Sequence, residues 1–316
     1  MSDGPNDCSP QNRSAPEALA ALEELSDDLT ARWTTPGLAA SLLEYLHACP
    51  VCGSTDLGHY VRVPSLFEAD RFIVYERCRG CGVVLRNPRL PAALRLQIYE
   101  DKVLPPDQKR LLPRNQRHYR HVLRLIRRAA PPAGRVLDFG CGAGGFLLAA
   151  RDAGFDVLGL EVNKYLARHV EESYEIPVFR GLIEDPAFGD ERFAAILTSQ
   201  VFEHLLDPRG TLATLRRHLL PGGLLLIEVP NQRAFKERRR KGSTMDDSHY
   251  FYFDAASLRR LYEDQGFEVV WVSEGARLYR LLPALVHLPA PLLELAGRVV
   301  ARLGLRTGLS MLARRR

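Results

Sequence analysis

Val136-Leu137-Asp138-Phe139-Gly140-Cys141-Gly142-Ala143-Gly144-Gly145-Phe146 passes from an apolar, strand-like stretch through four glycines into a helical one. Glycine has no Cβ, so the backbone of such a turn can come close to a ligand. The pattern alone leaves two readings open. Gly140, Gly142 and Gly145 satisfy the dinucleotide fingerprint, while Gly140, Gly142 and Gly144 satisfy a shorter Gly-x-Gly-x-Gly turn. Around it, Arg135–Phe139, Phe155–Leu160, Val178–Phe179, Phe193–Thr198, Leu224–Val229 and Phe267–Val272 read as strands separated by helical stretches. That alternation predicts an α/β fold of parallel strands crossed by helices.

Asp138 bears on the ligand, because an acid just before the turn would repel a pyrophosphate and attract a cation. S-adenosylmethionine carries both an ammonium and a sulfonium charge. Glu161 closes the next strand, Val157-Leu158-Gly159-Leu160-Glu161, where a carboxylate can accept hydrogen bonds from ribose hydroxyls. With these residues in place, the segment resembles motif I of class I S-adenosylmethionine-dependent methyltransferases, and the later segments fit in order. FAAILTSQVFEHLLDP (Phe193 to Pro208) resembles that family's fourth strand and its Glu-His-x-x-Asp-Pro tail. LLPGGLLLIEVP (Leu219 to Pro230) resembles its Pro-Gly-Gly turn and fifth strand, and His249 to Val270 its His-x-x-x-Phe segment with the following helix. Phe193-Ala194 departs from the family's usual Phe-Asp.

The resemblance implies a Rossmann-like, seven-stranded methyltransferase sheet with helices on both faces, closed by Leu309 to Ala313. It implies a cofactor pocket in which Gly140, Gly142 and Gly144 line the methionine portion, Asp138 reaches the amino group and Glu161 takes the ribose. Leu182 and Ile183 would flank adenine with Glu184 beside them, Ser199 and Gln200 would close the site near the methyl group, and Arg117 and Arg120 could hold the cofactor carboxylate. Methyl transfer is an in-line displacement whose rate owes much to alignment of the nucleophile. A base is needed only where the acceptor holds its proton tightly. His204, just past the fourth strand, and His249, before Tyr250-Phe251-Tyr252-Phe253, are the catalytic candidates. Tyr250 and Tyr252 are either core or a platform for a sugar ring.

Upstream, Cys49-Pro-Val-Cys52-Gly and Cys78-Arg-Gly-Cys81-Gly form a C-x2-C-x25-C-x2-C pattern. Two thiolate knuckles complete the tetrahedral sulfur shell that Zn2+ prefers, and four-sulfur closure leaves no open position, so the ion would be structural. Cys8 and Cys141 stand outside the set. The module, with Asn87-Pro88-Arg89 and Tyr99 after it, resembles a bacterial subgroup in which a zinc ribbon precedes the methyltransferase domain and some members methylate nucleotide-linked deoxysugars.

The chain has 316 residues, 46% hydrophobic and 26% charged, a composition that excludes disorder as the main theme. It divides into an N-terminal extension over 1–48, partly disordered with short helices, a zinc-ribbon module over 49–91, a linker and lead-in helix over 92–130, and the methyltransferase domain over 131–316. Residues 1–48 carry eight acids against two bases, so the rest of the chain is more basic than the net charge of +5 suggests. Weak attraction to anions follows. Arg233 to Lys241 (RAFKERRRK) is either a solvated face or a capture site for a phosphate-bearing acceptor. The longest apolar tract, Leu281 to Gly297, is broken by prolines, His287 and Glu294, so no transmembrane helix is expected; weak peripheral membrane contact through the basic C-terminus stays open. No secretory signal is read, and paired Cys-x-x-Cys knuckles suit a reducing compartment, so cytoplasmic residence is the expectation. The acceptor expected is a small molecule or glycan precursor, methylated at oxygen or carbon. RNA methylation with the ribbon docking nucleic acid is the alternative. The ribbon's mixed charge and lack of a base-stacking aromatic pair weigh against it. A non-catalytic cofactor-binding partner protein and a nicotinamide oxidoreductase are weaker alternatives.

Overall fold

The computed structural model describes residues 43–64, 72–92, 96, 112–232, 249–274 and 308–316. The expectations for residues 1–42, Tyr99, the basic run 233–241 and residues 277–307 lie outside this set, as does the side chain of Arg117.

In chain order the elements are β1 (Leu57–Pro64), β2 (Phe72–Cys78), β3 (Val84–Arg86), α1 (Leu112–Arg128), β4 (Val136–Phe139), α2 (Gly145–Asp152), β5 (Val157–Glu161) and α3 (Lys164–Tyr174). There follow β6 (Val178–Arg180), β7 (Phe193–Ser199), α4 (Pro208–Arg217), β8 (Leu219–Pro230), β9 (Phe251–Tyr252), α5 (Ala255–Asp264), β10 (Phe267–Ser273) and β11 (Gly308–Arg315). Seven strands form one sheet in the order β10-β11-β8-β7-β4-β5-β6. The pairs from β8 to β6 are parallel, and β11 is antiparallel to both its neighbours. This is the α/β sheet that the strand alternation and the resemblance both predict.

A parallel sheet covered on both faces needs apolar side chains on both. Period-two alternation therefore splits single strands between two cores. Ile196, Leu225, Ile227 and Val229 belong to one, and Ala195, Leu197, Leu224 and Leu226 to the other. Local chemistry sets the helix starts. Asn163 accepts from the amides of Tyr165 and Leu166 to open α3, and Asp254 and Ser257 form a reciprocal capping box on α5.

The chain runs outward from β4 through β5 to β6, then returns to β7 on the other side of β4. The strand order reverses between β4 and β7, and ligands in such sheets bind outside the carboxyl ends of the strands at that point.

The second sheet is small and antiparallel, in the order β1-β2-β3-β9. Its fourth strand comes from the far side of the chain: Val84 pairs with Tyr252 and Leu85 with Phe251. Cys49, Val51, Cys78, Val83 and Leu85 lie in the same apolar cluster as Leu137, Ile196 and Ile227 of the large sheet. The cysteine module thus shares a core with one sheet face.

Candidate active site

The turn after β4 is left-handed at Gly140, with φ of 76°. A Cβ there would come within 2.5 Å of Val201 Cγ2, so both space and torsion require glycine. At Gly142, φ is 53° and a Cβ would meet nothing within 4 Å, which leaves the backbone facing open space beside the strand ends. Gly144 is the N-cap of α2 and packs against Val170 of α3.

Acids surround this opening. Asp138 is 4% exposed, and burial holds its carboxyl well above the ordinary range, with the charges of Glu161 and Glu228 adding to the effect. Burial also raises Glu161, against the amides of Asn163 and Gly142, which donate to its carboxylate at 2.9 and 2.8 Å. Such a cluster gains from a cationic ligand, and Glu161 can exchange the Gly142 amide for ligand hydroxyls. Ile183 is buried while Leu182 is 42% exposed after β6. Glu184 is exposed beside them, as is Arg120 on α1.

The tip of β7 is constrained. Gln200 is a non-glycine residue at φ of 61°, and its amide donates to the Glu228 carbonyl at 2.8 Å. Strain of this kind persists where surrounding structure enforces it. Ser199 Oγ donates to the Glu228 carboxylate at 3.0 Å, Ser310 Oγ donates at 2.7 Å, and His118 Nε2 lies 2.9 Å from it. Glu228 is 1% exposed. Sequence reasoning missed both Glu228 and His118. The available signal was one acid inside the apolar run LLLIEV of β8.

Beyond β7, Phe202–His204 forms a short 3-10 turn, and the segment before β9 comes back against it. The Tyr250 amide donates to the Glu203 carbonyl at 2.7 Å, and the His204 and His249 rings lie 4.8 Å apart, edge to face. The structure therefore brings the two candidate histidines together. Tyr250 and Tyr252 are buried, Tyr252 in the small sheet's core against Tyr75, so neither offers a face to a sugar.

Cys49, Cys52, Cys78 and Cys81 converge, their sulfurs all within 4.8 Å of one another. The Cys49–Cys81 and Cys52–Cys78 separations are 3.8 and 3.5 Å. Zn–S bonds of about 2.3 Å give a tetrahedral edge of about 3.8 Å, so the cluster fits that ion. The Cys81 thiol donating to Cys49 pulls Cys49 down to about 6 and holds Cys81 itself up, so the pair shares one favoured thiolate. Buried Cys141 is raised well above the ordinary thiol range.

Residues 114–272, half of the chain, match the methyltransferase domain family, and the chain belongs to it. Over 167 residues it is 32% identical to a probable S-adenosylmethionine-dependent methyltransferase of Mycolicibacterium smegmatis, covering 51% of this chain and 64% of that protein. Over 103 residues it is 37% identical to a ubiquinone biosynthesis O-methyltransferase of Cereibacter sphaeroides, covering 31% of this chain and 42% of the relative. Both matches span less than two thirds of the relative's length. A solved S-adenosylmethionine-dependent methyltransferase from Archaeoglobus fulgidus covers 63% of this chain and 94% of its own, with TM-score 0.46 and 19% identity.

Proposed function

We propose that the chain transfers a methyl group from S-adenosylmethionine to a small-molecule or glycan-precursor acceptor, at oxygen or carbon. The observation that carries this reading is the pair of buried acids, Asp138 and Glu161, flanking a glycine turn whose Gly142 faces open space. When bound, the cofactor supplies a carbon already activated by sulfonium. Asp138 pairs with its amino group, Glu161 accepts from the ribose hydroxyls, and Gly140, Gly142 and Gly144 bring the backbone to the methionine portion. Leu182 and Ile183 lie along adenine, and Ser199 and Gln200 bound the site where the methyl group would point. His204 and His249 act on the acceptor, aligning it and easing loss of its proton.

Support for a small acceptor comes from the relatives, among them O-methyltransferases of ubiquinone biosynthesis. A phosphate on the acceptor would be captured by the basic run 233–241. The four cysteines hold a structural Zn2+.

Calorimetric titration with S-adenosylhomocysteine beside NADH tests the cofactor. One-to-one binding of the former alone is expected. Glu161→Ala should weaken it by about 10- to 100-fold, the equivalent of about 1.5–3 kcal/mol for hydrogen bonds to a charged group. Binding of NADH in preference to S-adenosylhomocysteine would overturn the reading.

A further inference from the structure

Two groups among the described residues bring three or more metal-ligating side chains together, and only one is the cysteine cluster. The other is Glu203, His204 and His249, whose ligand atoms lie within 4.8 Å of one another. We infer that these three residues hold a divalent transition-metal cation on the acceptor side of the active site, separate from the four-cysteine centre.

The donor set carries the argument first. Two imidazoles and one carboxylate suit Mn2+, Fe2+, Co2+ or Zn2+, and three protein ligands leave further coordination positions open. Four thiolates, by contrast, close a tetrahedral shell. Ligand atoms bound at about 2.0–2.2 Å are at most about 4.3 Å apart, a limit that small rotations of the imidazoles can meet. The rings are tilted by 64° rather than stacked.

The scaffold carries it further. Glu203 is 0% exposed, and a carboxylate taken wholly out of water is costly unless positive charge lies beside it. A divalent ion held between this carboxylate and the two imidazoles supplies such charge. Each ligand is also placed by a different contact. The His204 amide donates to the Val201 carbonyl, the Tyr250 amide donates to the Glu203 carbonyl, and the Tyr75 hydroxyl donates to the His249 carbonyl at 3.2 Å. Residues 45 positions apart in sequence are thereby held as one set.

The role of the ion, unlike its binding, rests on the methyl-transfer reading. Its open positions would take an acceptor oxygen, and an oxygen bound to a divalent cation gives up its proton more readily.

Mn2+ is the probe, because thiolates hold it poorly and it reports a nitrogen and oxygen site. Titration of the full chain, followed by the electron paramagnetic resonance signal of the free ion, should show one equivalent bound. His249→Ala and Glu203→Gln should each weaken binding at least about tenfold, with circular dichroism confirming the fold. Should either variant unfold, Co2+ added to wild-type protein already loaded with zinc should give weak d–d bands without thiolate charge transfer. A wild-type chain that binds neither ion overturns the inference, as do folded variants that bind Mn2+ as well as wild type. S-adenosylhomocysteine titrated into the same samples separates the two claims. Cofactor binding without Mn2+ binding sinks the metal site alone, and the reverse sinks the methyl-transfer reading alone.

Discussion

Asp138 sits where charge is least welcome in the empty fold and most useful to a cationic ligand. Its folded pKa is raised by burial and by Glu161 and Glu228, so the folded state holds a proton that the unfolded chain has released. Stability contributed at this position is fully present below the unfolded value of about 4 and is lost as pH rises toward the folded value. Each unit of displacement is worth about 1.4 kcal/mol. Asp138→Asn keeps the shape and removes the titration. In cofactor-free protein its melting temperature should therefore gain on wild type as pH rises from about 4 to 8, while affinity for S-adenosylhomocysteine falls. Thermal melts across that range check the first effect, and a pH-independent difference would count against it. Glu228 belongs to the same group of buried acids, but two serine hydroxyls donate to it and His118 lies beside it.

At the scale of the element, β9 links the cysteine module to the turn that carries Glu203 and His204. It is two residues long and, among the described residues, its one strand partner is β3, which follows the second cysteine knuckle. The Arg86 amide donates to the Tyr250 carbonyl at 2.8 Å, and Gln232 Nε2 donates to the Gly82 carbonyl at 2.9 Å. Removing the metal proposed for the four cysteines should thus loosen residues 249–253 before the large sheet. Hydrogen exchange read by mass spectrometry should show faster uptake at 84–86 and 249–253, with β4 and β7 still protected. Unchanged uptake at 249–253 in stripped protein would sink the idea. This link also marks what the sequence alone could not show. The strands of the large sheet announce themselves through local apolar runs: the sequence predicts β7 over 193–198, and it spans Phe193–Ser199. The glycine turn, Asp138, Glu161 and the cysteine pairs are likewise local patterns. β9 is a strand only because β3 lies beside it, and Glu228 is a hub only because α1, β7 and β11 converge on it. Those facts are made by contacts between separate elements, at Glu228 from 29 residues apart for Ser199 to 110 for His118, which spacing along the chain does not carry.

For the molecule as a whole, the decisive feature is the cluster that joins Cys49, Val51, Cys78 and Leu85 to Tyr250, Phe253, Ile196 and Ile227. A ribbon tethered by a linker would bury its own small core and melt alone. Here the faces of the two sheets exclude water together, and further bonds cross between them. Arg260 donates to the Gly80 carbonyl at 2.5 Å, and Arg89 donates to the Leu206 carbonyl at 2.6 Å, beside the turn that bears Glu203 and His204. Burial of apolar area is worth about 25 cal/mol per Å2, so separating the two sheets would expose a shared surface neither can cover by itself. Metal-loaded protein should therefore unfold in one calorimetric transition, with calorimetric and van't Hoff enthalpies in agreement. Stripped protein should melt at lower temperature, because the sheet face loses the partner that covers it. Two well-separated transitions in the loaded protein would show instead that the module is an independent unit.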